Sequence, residues 1–361
     1  MKILEKKTKH HYVWAHYLQD WTVDGTNIYY ITKKSNIASD SVRGLGLEKD
    51  FYKMGILKES DKELIALFTN KCNETVKELH WNFVNMIFET QKMVSLLSPT
   101  LNAKLGINLQ DIIQSNAFEN YLSEQESSAI KILSELKTGN LLPLDDKGTY
   151  YGFCYFLGYQ FSRTQKMKQL LILSLDKIPG QTHIRDRLRD FYNRNWWFMC
   201  SFMATNLSYD MSLNSSRKVI LLENESSIDF ITSDQPVINL NPEGSEGEFV
   251  DYYYPLSPGK ALLINTSGVK YFSSNHLSYD EVHMLNTKVA RSSCKTIFSR
   301  NKETVRLYKK DFNQRNYLAF TLQTADCRLQ TADCRLQTEQ IVTERAYSQA
   351  SSLVMMEGDN F

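Results

Sequence analysis

Residues 214–240 read NSSRKVILLENESSIDFITSDQPVINL, and this stretch decides the fold class because the character of the chain changes within it. From here on, short β-branched and apolar segments are separated by turn-forming Asn, Ser, Gly and Pro. These segments lie at 218–222, 228–232, 237–240, 252–254 and 261–265. Segments of this length, divided by turn residues, are typical of β-strands. The pattern predicts a C-terminal, mostly antiparallel sheet.

The residues that precede this stretch follow a helical pattern instead. Apolar side chains such as Leu64, Leu67 and Phe68 recur at three- and four-residue spacing, which indicates an amphipathic helix. The predicted helices cover 60–97, 108–138, 150–174 and 182–212. Beyond the sheet segments, the sequence predicts a late helix over 279–293 and a strand over 296–300.

The N-terminal part contributes a further extended element. Residues 9–21 predict a short aromatic helix or turn, and Asp24-Gly25 followed by the strand-like segment 27–32 predicts an N-terminal hairpin. Because strands and helices are segregated along the chain, we expect an α+β fold. Residues 1–315 are predicted to form a single domain with a helical subdomain at about 55–212, and 316–361 a helical extension.

The C-terminal extension contains a tandem repeat. Leu-Gln-Thr-Ala-Asp-Cys-Arg occurs at Leu322–Arg328 and again at Leu329–Arg335. The period of seven places Leu322, Leu329 and Leu336 on one helical stripe. A heptad helix is therefore predicted over 321–345. This helix would bind a partner protein or a second copy of the chain. Alternatively, the duplication only makes an existing helix longer.

Composition excludes several classes of protein. The net charge of the 361-residue chain is +1, from 42 basic and 41 acidic residues, so no overall field attracts nucleic acid or a membrane. The six cysteines form no C-x-x-C pair, which fits a reducing compartment. The N-terminus lacks the apolar segment of a signal peptide, and the longest apolar run is too short to span a membrane. We expect a cytoplasmic protein.

A polar group of residues interrupts an aromatic, apolar helix near its C-terminal end. Gln160, Arg163 and Thr164 have the spacing that places them on one helical face. An arginine that continues a buried helix needs a carboxylate, carbonyl groups or an anionic ligand. The sequence therefore favours either a structural ion pair or an anion site at Arg163.

A second polar group, Ser233-Asp234-Gln235-Pro236, lies between two predicted strands. Pro236 cannot donate to a β-ladder, so Asp234 is expected at a strand end, where catalytic and ligand-binding carboxylates are common. Asp also stabilises such turns by accepting main-chain N–H groups. Both roles stay open from sequence.

Histidines near the N-terminus form the third polar group. His10 and His11 are adjacent, so they point in different directions and do not form a two-histidine metal clamp. A single histidine such as His11 can act as a general acid or base, or it can pack in the core. H-E-x-x-H, P-loop, G-x-G-x-x-G and G-x-S-x-G motifs do not occur, which argues against zincins, P-loop enzymes, Rossmann dehydrogenases and common serine hydrolases.

At these residues the chain resembles a bacterial family known as domain of unknown function 4238. The resembling elements, in chain order, are His11-Tyr12-Val13 with Tyr17-Leu18, the Gln160/Arg163/Thr164 group, Thr232-Ser233-Asp234 with Pro236, and Pro255-Leu256-Ser257-Pro258. The family pattern has proline where this chain has Trp14 and Gln165. The resemblance covers roughly residues 9–312. It implies no reaction, although members often resemble effectors of bacterial defence or toxin loci.

The leading functional hypothesis is an effector hydrolase that acts on a phosphodiester or nucleotide, as a nuclease does. His11 and Asp234 would share the acid and base roles, Arg163 and Gln160 would bind the anionic group, and Asn286 would orient substrate. A divalent metal would need a second acid beside Asp234. Asp229 and Asp251 are the candidates for that ligand.

The alternative hypothesis is a non-catalytic module that senses a nucleotide, peptide or nucleic acid. Trp196 and Trp197, flanked by Arg187, Arg189 and Arg194, would then either stack on bases or pack into the core. The heptad helix would pass the signal to a partner. In a third, architectural hypothesis, only the C-terminal extension has a function, which is to set the oligomeric state.

Overall fold

A computed structural model describes residues 4–176, 182–240 and 250–313 of the chain. In these ranges the protein has the predicted α+β architecture. In chain order the helices are α1 (Ala15–Leu18), α2 (Glu59–Thr69), α3 (Glu74–Leu105), α4 (Leu109–Thr138), α5 (Lys147–Ser162), α6 (Gln165–Leu175), α7 (Thr182–Arg194), α8 (Trp196–Leu213), α9 (Tyr279–Ser292) and α10 (Lys302–Asn313). The heptad segment 321–345 lies outside the described residues.

The strands belong to three sheets. In chain order they are β1 (Lys9–His11), β2 (Asn27–Ile31), β3 (Ile37–Ser41), β4 (Leu47–Lys49), β5 (Lys218–Asn224), β6 (Thr232–Ser233), β7 (Ile238–Asn239), β8 (Tyr252–Ser257), β9 (Lys260–Asn265), β10 (His276–Leu277) and β11 (Ile297–Ser299). The five-stranded sheet has the order β10-β5-β9-β8-β7 and is antiparallel except for the β10–β5 pair. The four-stranded sheet, β3-β2-β11-β6, joins the N-terminal strands to the C-terminal ones. Strands β1 and β4 form a separate pair.

Three of the four helices predicted for the middle of the chain are each divided in two. The first is divided between α2 and α3, where the Asn73 side chain accepts a hydrogen bond from the Val76 N–H and so caps α3. The second is divided at Thr164, whose extended backbone and side-chain hydroxyl cap α6. The third is divided at the fully buried Asn195. Apolar periodicity continues across such short breaks, and for this reason it did not reveal them.

The N-terminal hairpin exists, but its turn is not at Asp24-Gly25. Strands β2 and β3 form it, and the turn spans residues 32–36, where the Thr32 N–H donates to the Asn36 carbonyl over 2.7 Å. Asp24 instead accepts the Asn27 N–H over 2.6 Å and directs the chain into β2. An Asp-Gly pair favours a tight turn without specifying which two segments pair across it.

The core consists of two apolar clusters. The larger one lies among the helices and one face of the five-stranded sheet, and the smaller one lies between the sheets and α9 and α10. In the larger cluster α5 packs closely on α8 at Gly158, where a Cβ atom would lie 2.7 Å from the Ala204 carbonyl oxygen. None of the helices in the described residues is both long and apolar enough to cross a membrane.

Candidate functional site

The first and second polar groups of the sequence, at 160–164 and 233–236, contact each other directly at the C-terminal end of α5. The Thr164 hydroxyl donates a hydrogen bond to Oε1 of Gln235. The Gln235 amide nitrogen donates to the Phe161 carbonyl over 3.1 Å and to the Val237 carbonyl over 2.9 Å. The Gln235 side chain thus fastens the loop after β6 to the break between α5 and α6.

The third polar group, the N-terminal histidines, joins the same region through Tyr52. The Tyr52 hydroxyl donates to the Arg163 carbonyl over 2.7 Å, and the Tyr52 N–H donates to Nδ1 of His10 over 2.8 Å. His10 is fully buried and its ring is stacked on Tyr52. Burial lowers the pKa of His10, and the imidazole therefore packs in its neutral form. His10 is a core histidine.

Arg163 is the buried cation at the centre of this region. Its side chain is 1% exposed, and Nη2 donates to the Glu126 carboxylate and, over 3.1 Å, to Oε1 of Gln160. Among the residues that the structure describes, its Nε has no hydrogen-bond partner. The sequence left open a structural ion pair or an anion site, and the structure contains the ion pair. Gln160 holds the guanidinium in position.

A second carboxylate, Glu119, lies on the same face of α4, two turns before Glu126. Its Oε1 accepts the His11 N–H over 3.3 Å, whereas the buried Oε2 has no hydrogen-bond partner in the described part of the chain. Burial raises the pKa of Glu119 to about 7, and the nearby Arg163 opposes this rise. Glu119 therefore exchanges its proton near neutral pH.

Burial also shifts the pKa values of Glu126 and His11. Burial raises the pKa of Glu126 against the opposing effect of Arg163. The half-buried His11 has its pKa lowered, chiefly by desolvation, and its Nε2 lies 3.4 Å from the Arg43 carbonyl. We call His11, Glu119, Glu126 and Arg163 the acid–base cluster. Paired carboxylates whose environments raise their pKa values occur at catalytic sites, where they transfer protons.

The sequence predicted His11 and Arg163 as members of this cluster but missed both glutamates. Glu119 and Glu126 are seven residues apart on a predicted helix, so their common face was detectable. Nothing in that spacing indicated which face would meet Arg163. The missing information was the packing of α4 against α5.

The side chain of Asp234 bonds to main-chain groups that do not belong to the acid–base cluster. It is fully buried, its Oδ1 accepts the Cys294 N–H over 2.8 Å, and its Oδ2 accepts the Lys295 N–H over 2.5 Å. Burial raises its pKa, and these main-chain donors oppose the rise. Because Asp234 is fully buried, a catalytic role would require local movement that exposes its carboxylate to a substrate.

Asn286 also bonds to the main chain. Its Oδ1 accepts the Ile231 N–H over 2.9 Å, and its Nδ2 donates to the Asp229 carbonyl over 2.8 Å. These bonds attach α9 to the segment that leads into β6. They do not place the Asn286 amide against His11 or Arg163.

The two acids predicted as further metal ligands are engaged elsewhere. Asp229 forms a two-pronged ion pair with Arg300, at 2.8 and 2.9 Å. Asp251 accepts hydrogen bonds from the Thr266 N–H over 2.6 Å and from the Tyr271 hydroxyl over 2.6 Å. Across the described ranges, no group of three or more His, Cys, Asp or Glu side chains is arranged to hold a metal ion.

The aromatic–arginine surface considered for nucleic-acid stacking is not formed. Trp196 and Trp197 are 2% and 0% exposed, so neither ring is available to a base. Arg194 pairs with Asp61 over 3.0 Å and braces α7 against α2. Of the two alternatives that the sequence allowed for these tryptophans, packing into the core is the one observed.

The backbone accommodates the two residues that replace the expected prolines. Trp14 has a φ of −63°, which lies within the range that proline imposes. Gln165 is the first residue of α6, where proline is favoured because that N–H needs no intrahelical partner. Both positions thus keep a geometry that suits proline.

Comparison with known proteins found one family. A family model described as "Protein of unknown function (DUF4238)" matches residues 9–303, and this range includes all three polar groups and both glutamates of the acid–base cluster. Comparison with curated proteins and with solved structures found no match.

Proposed function

The chain belongs to the DUF4238 family, whose description assigns no reaction, and we propose that it is a hydrolase acting on a phosphodiester or nucleotide. The observation that carries the proposal is the acid–base cluster. Groups from β1, α4 and α5, remote in sequence, meet around one buried guanidinium. Carboxylates, histidines and arginines are the residue types that enzymes use to transfer protons and to bind phosphoryl groups.

In this proposal Glu119 is the general base. Its Oε2 is free of hydrogen bonds within the described part of the chain, and its pKa of about 7 suits proton abstraction from water near neutral pH. The carboxyl group that forms on Glu119 then returns this proton to the leaving group, while the His11 N–H donates to Oε1 of Glu119. Glu119 thus takes the acid and base roles that the sequence hypothesis gave to His11 and Asp234.

Arg163 supplies the positive charge that a phosphoryl group requires. Glu126 and Gln160 hold the guanidinium in place, and its Nε remains available as a donor. Since the Arg163 side chain is 1% exposed, a substrate meets the half-buried His11 and Glu119 first. Contact with the guanidinium then requires local movement of the residues around it.

Asp234 and Asn286 act as positioning residues in this scheme. Asp234 organises the main chain at residues 294–295, and Asn286 attaches α9 to the segment before β6. We place the activity in the cytoplasm, because the six cysteines of the sequence form no C-x-x-C pair, a pattern that fits a reducing compartment.

The test is hydrolysis by the full-length protein of bis(p-nitrophenyl) phosphate, nucleotides and labelled single-stranded DNA and RNA, with and without Mg²⁺. Glu119→Gln keeps an oxygen that can accept the His11 N–H and replaces the titrating carboxyl group by a neutral amide of nearly the same shape. We expect about 100-fold or greater loss of kcat. Glu124→Gln, at an exposed position of the same helix, is the matched control and should retain activity.

Two results would contradict the proposal. The first is the absence of turnover of every substrate in the panel. The second is turnover by Glu119→Gln with the rate and pH profile of the unaltered protein. Thermal unfolding of both variants establishes that they fold before rates are compared.

The ion pair itself favours a second candidate, a non-catalytic module that binds a nucleotide or nucleic acid. Glu126 already neutralises Arg163 in the absence of a ligand. An anionic ligand could bind by taking the place of the Glu126 carboxylate at the guanidinium. Equilibrium titration with nucleotides separates the candidates. Saturable binding without product formation supports the module, and turnover supports the hydrolase.

A further inference from the structure

A cleft of about 180 Å³ lies between α3, α5 and α8, apart from the acid–base cluster. Most of its wall is apolar or aromatic and is formed by Leu79, Phe83, Tyr151 and Phe198. An apolar cavity of about 150 Å³ can hold a benzene molecule. The cleft therefore has room for a single aromatic ring with a small substituent.

Four polar side chains complete the wall: His80, Tyr155, Ser201 and Thr205. None of the lining residues is Lys, Arg, Asp or Glu. Burial lowers the pKa of His80 to about 4, and the imidazole is thus neutral at physiological pH. The wall offers hydrogen bonds without any charge.

These polar groups are held in place by partners behind the wall. The Tyr155 hydroxyl lies 2.8 Å from that of Tyr121, and the Tyr159 hydroxyl donates to Ser201 Oγ over 3.1 Å. The Asn206 amide lies 3.0 Å from Nε2 of His80. Polar groups fixed on an apolar wall are the usual composition of a small-molecule site.

We propose that this cleft binds a neutral, monocyclic aromatic compound that carries one hydroxyl or carbonyl group. The ring occupies the space between Phe83 and Phe198, and the ligand oxygen accepts from the Tyr155 hydroxyl. A ligand hydroxyl can also donate to Ser201 Oγ, whose own proton goes to the Trp197 carbonyl. A carboxylate or ammonium compound is excluded, since its charge would be desolvated without a counter-ion. The site goes beyond the hydrolase proposal, because it shares no residue with the acid–base cluster.

The experiment uses phenol, toluene and benzoate as probes, with the full-length protein near neutral pH. Binding is measured by isothermal titration calorimetry and by saturation-transfer NMR. Phenol should bind with one molecule per chain, and toluene and benzoate should each bind at least about tenfold more weakly. Toluene binds more weakly because it lacks the hydroxyl group that forms the hydrogen bond, and benzoate because its charge would be buried.

A matched pair of substitutions locates the site. Leu79 lines the cleft and is 41% exposed, so Leu79→Trp fills the mouth without disturbing the core. Met86 lies two turns further along α3, is 53% exposed and does not line the cleft. Leu79→Trp should weaken phenol binding at least tenfold, whereas Met86→Trp should leave it within about twofold.

Each other outcome overturns the proposal. Failure of phenol to bind at millimolar concentration removes the site. Equal binding of benzoate removes the requirement for a neutral ligand, and equal binding of toluene removes the hydrogen bond. Phenol binding that survives in Leu79→Trp places the ligand elsewhere on the protein.

Discussion

Glu119→Gln should change how the stability of the protein depends on pH. In the folded protein the pKa of Glu119 is about 7, against an ordinary value of 4.5. Between pH 4.5 and pH 7, Glu119 has lost its proton in the unfolded chain but still carries it in the folded protein. Folding stability contributed by this group is therefore present below about pH 4.5 and is lost as the pH rises towards 7.

The structure sets the size of this effect. A pKa difference of about 2.5 at a mostly buried carboxyl corresponds to about 3 kcal/mol of unfolding free energy. The glutamine variant does not titrate, and its amide oxygen still accepts the His11 N–H. Relative to the unaltered protein, the variant should therefore gain about 3 kcal/mol between about pH 4 and pH 8.

The measurement is urea unfolding at a series of pH values, followed by fluorescence of the five tryptophans. Glu124→Gln on the same helix is exposed and should give a curve parallel to that of the unaltered protein. If the difference in stability between Glu119→Gln and the unaltered protein is independent of pH, Glu119 does not titrate near neutrality. Its proposed role as the general base would then fail as well.

Three further substitutions test the packing around the site. Glu126→Met leaves the Arg163 cation without its ion pair and should lower the free energy of unfolding by about 3–5 kcal/mol in urea titrations; a loss below about 1 kcal/mol would contradict this. Asp234→Ala removes the acceptor of two buried main-chain N–H groups and should cost about 2–5 kcal/mol, with faster hydrogen exchange at residues 294–295. Unaltered exchange there would show that the carboxylate does not hold this segment. Gly158→Ala introduces a Cβ atom 2.7 Å from a carbonyl oxygen of α8 and should lower stability by about 1–3 kcal/mol. A melting temperature equal to that of the unaltered protein would refute the close approach of α5 and α8.

Local patterns were sufficient to predict the α+β class and most elements. The predicted helix 108–138 corresponds to α4 (Leu109–Thr138), the late helix 279–293 to α9 (Tyr279–Ser292), and the strand 296–300 to β11 (Ile297–Ser299). Each is specified by neighbouring residues through periodicity and turn chemistry. The segment 228–232 is an exception, because β-pairing there is confined to Thr232–Ser233 in β6.

The helix breaks depended on contacts that local patterns do not contain. Thr164 ends one helix and begins the next because its hydroxyl bonds to Gln235, which is 71 residues away. Asn195 interrupts the third predicted helix inside the core, where periodicity continues on both sides. At Thr164, tertiary packing thus reinforces the break against the helical tendency.

The sequence by itself determined which residue types were available for chemistry, because an arginine and a histidine within apolar stretches are visible in the chain. Only the tertiary structure decided their partners. Arg163 forms an ion pair with Glu126, and both oxygens of Asp234 accept main-chain N–H groups. One oxygen of Glu119 has no hydrogen-bond partner within the described ranges. The physical reason is that the pKa and the hydrogen-bonding state of a buried group depend on distances and desolvation, and both arise only when remote segments pack together.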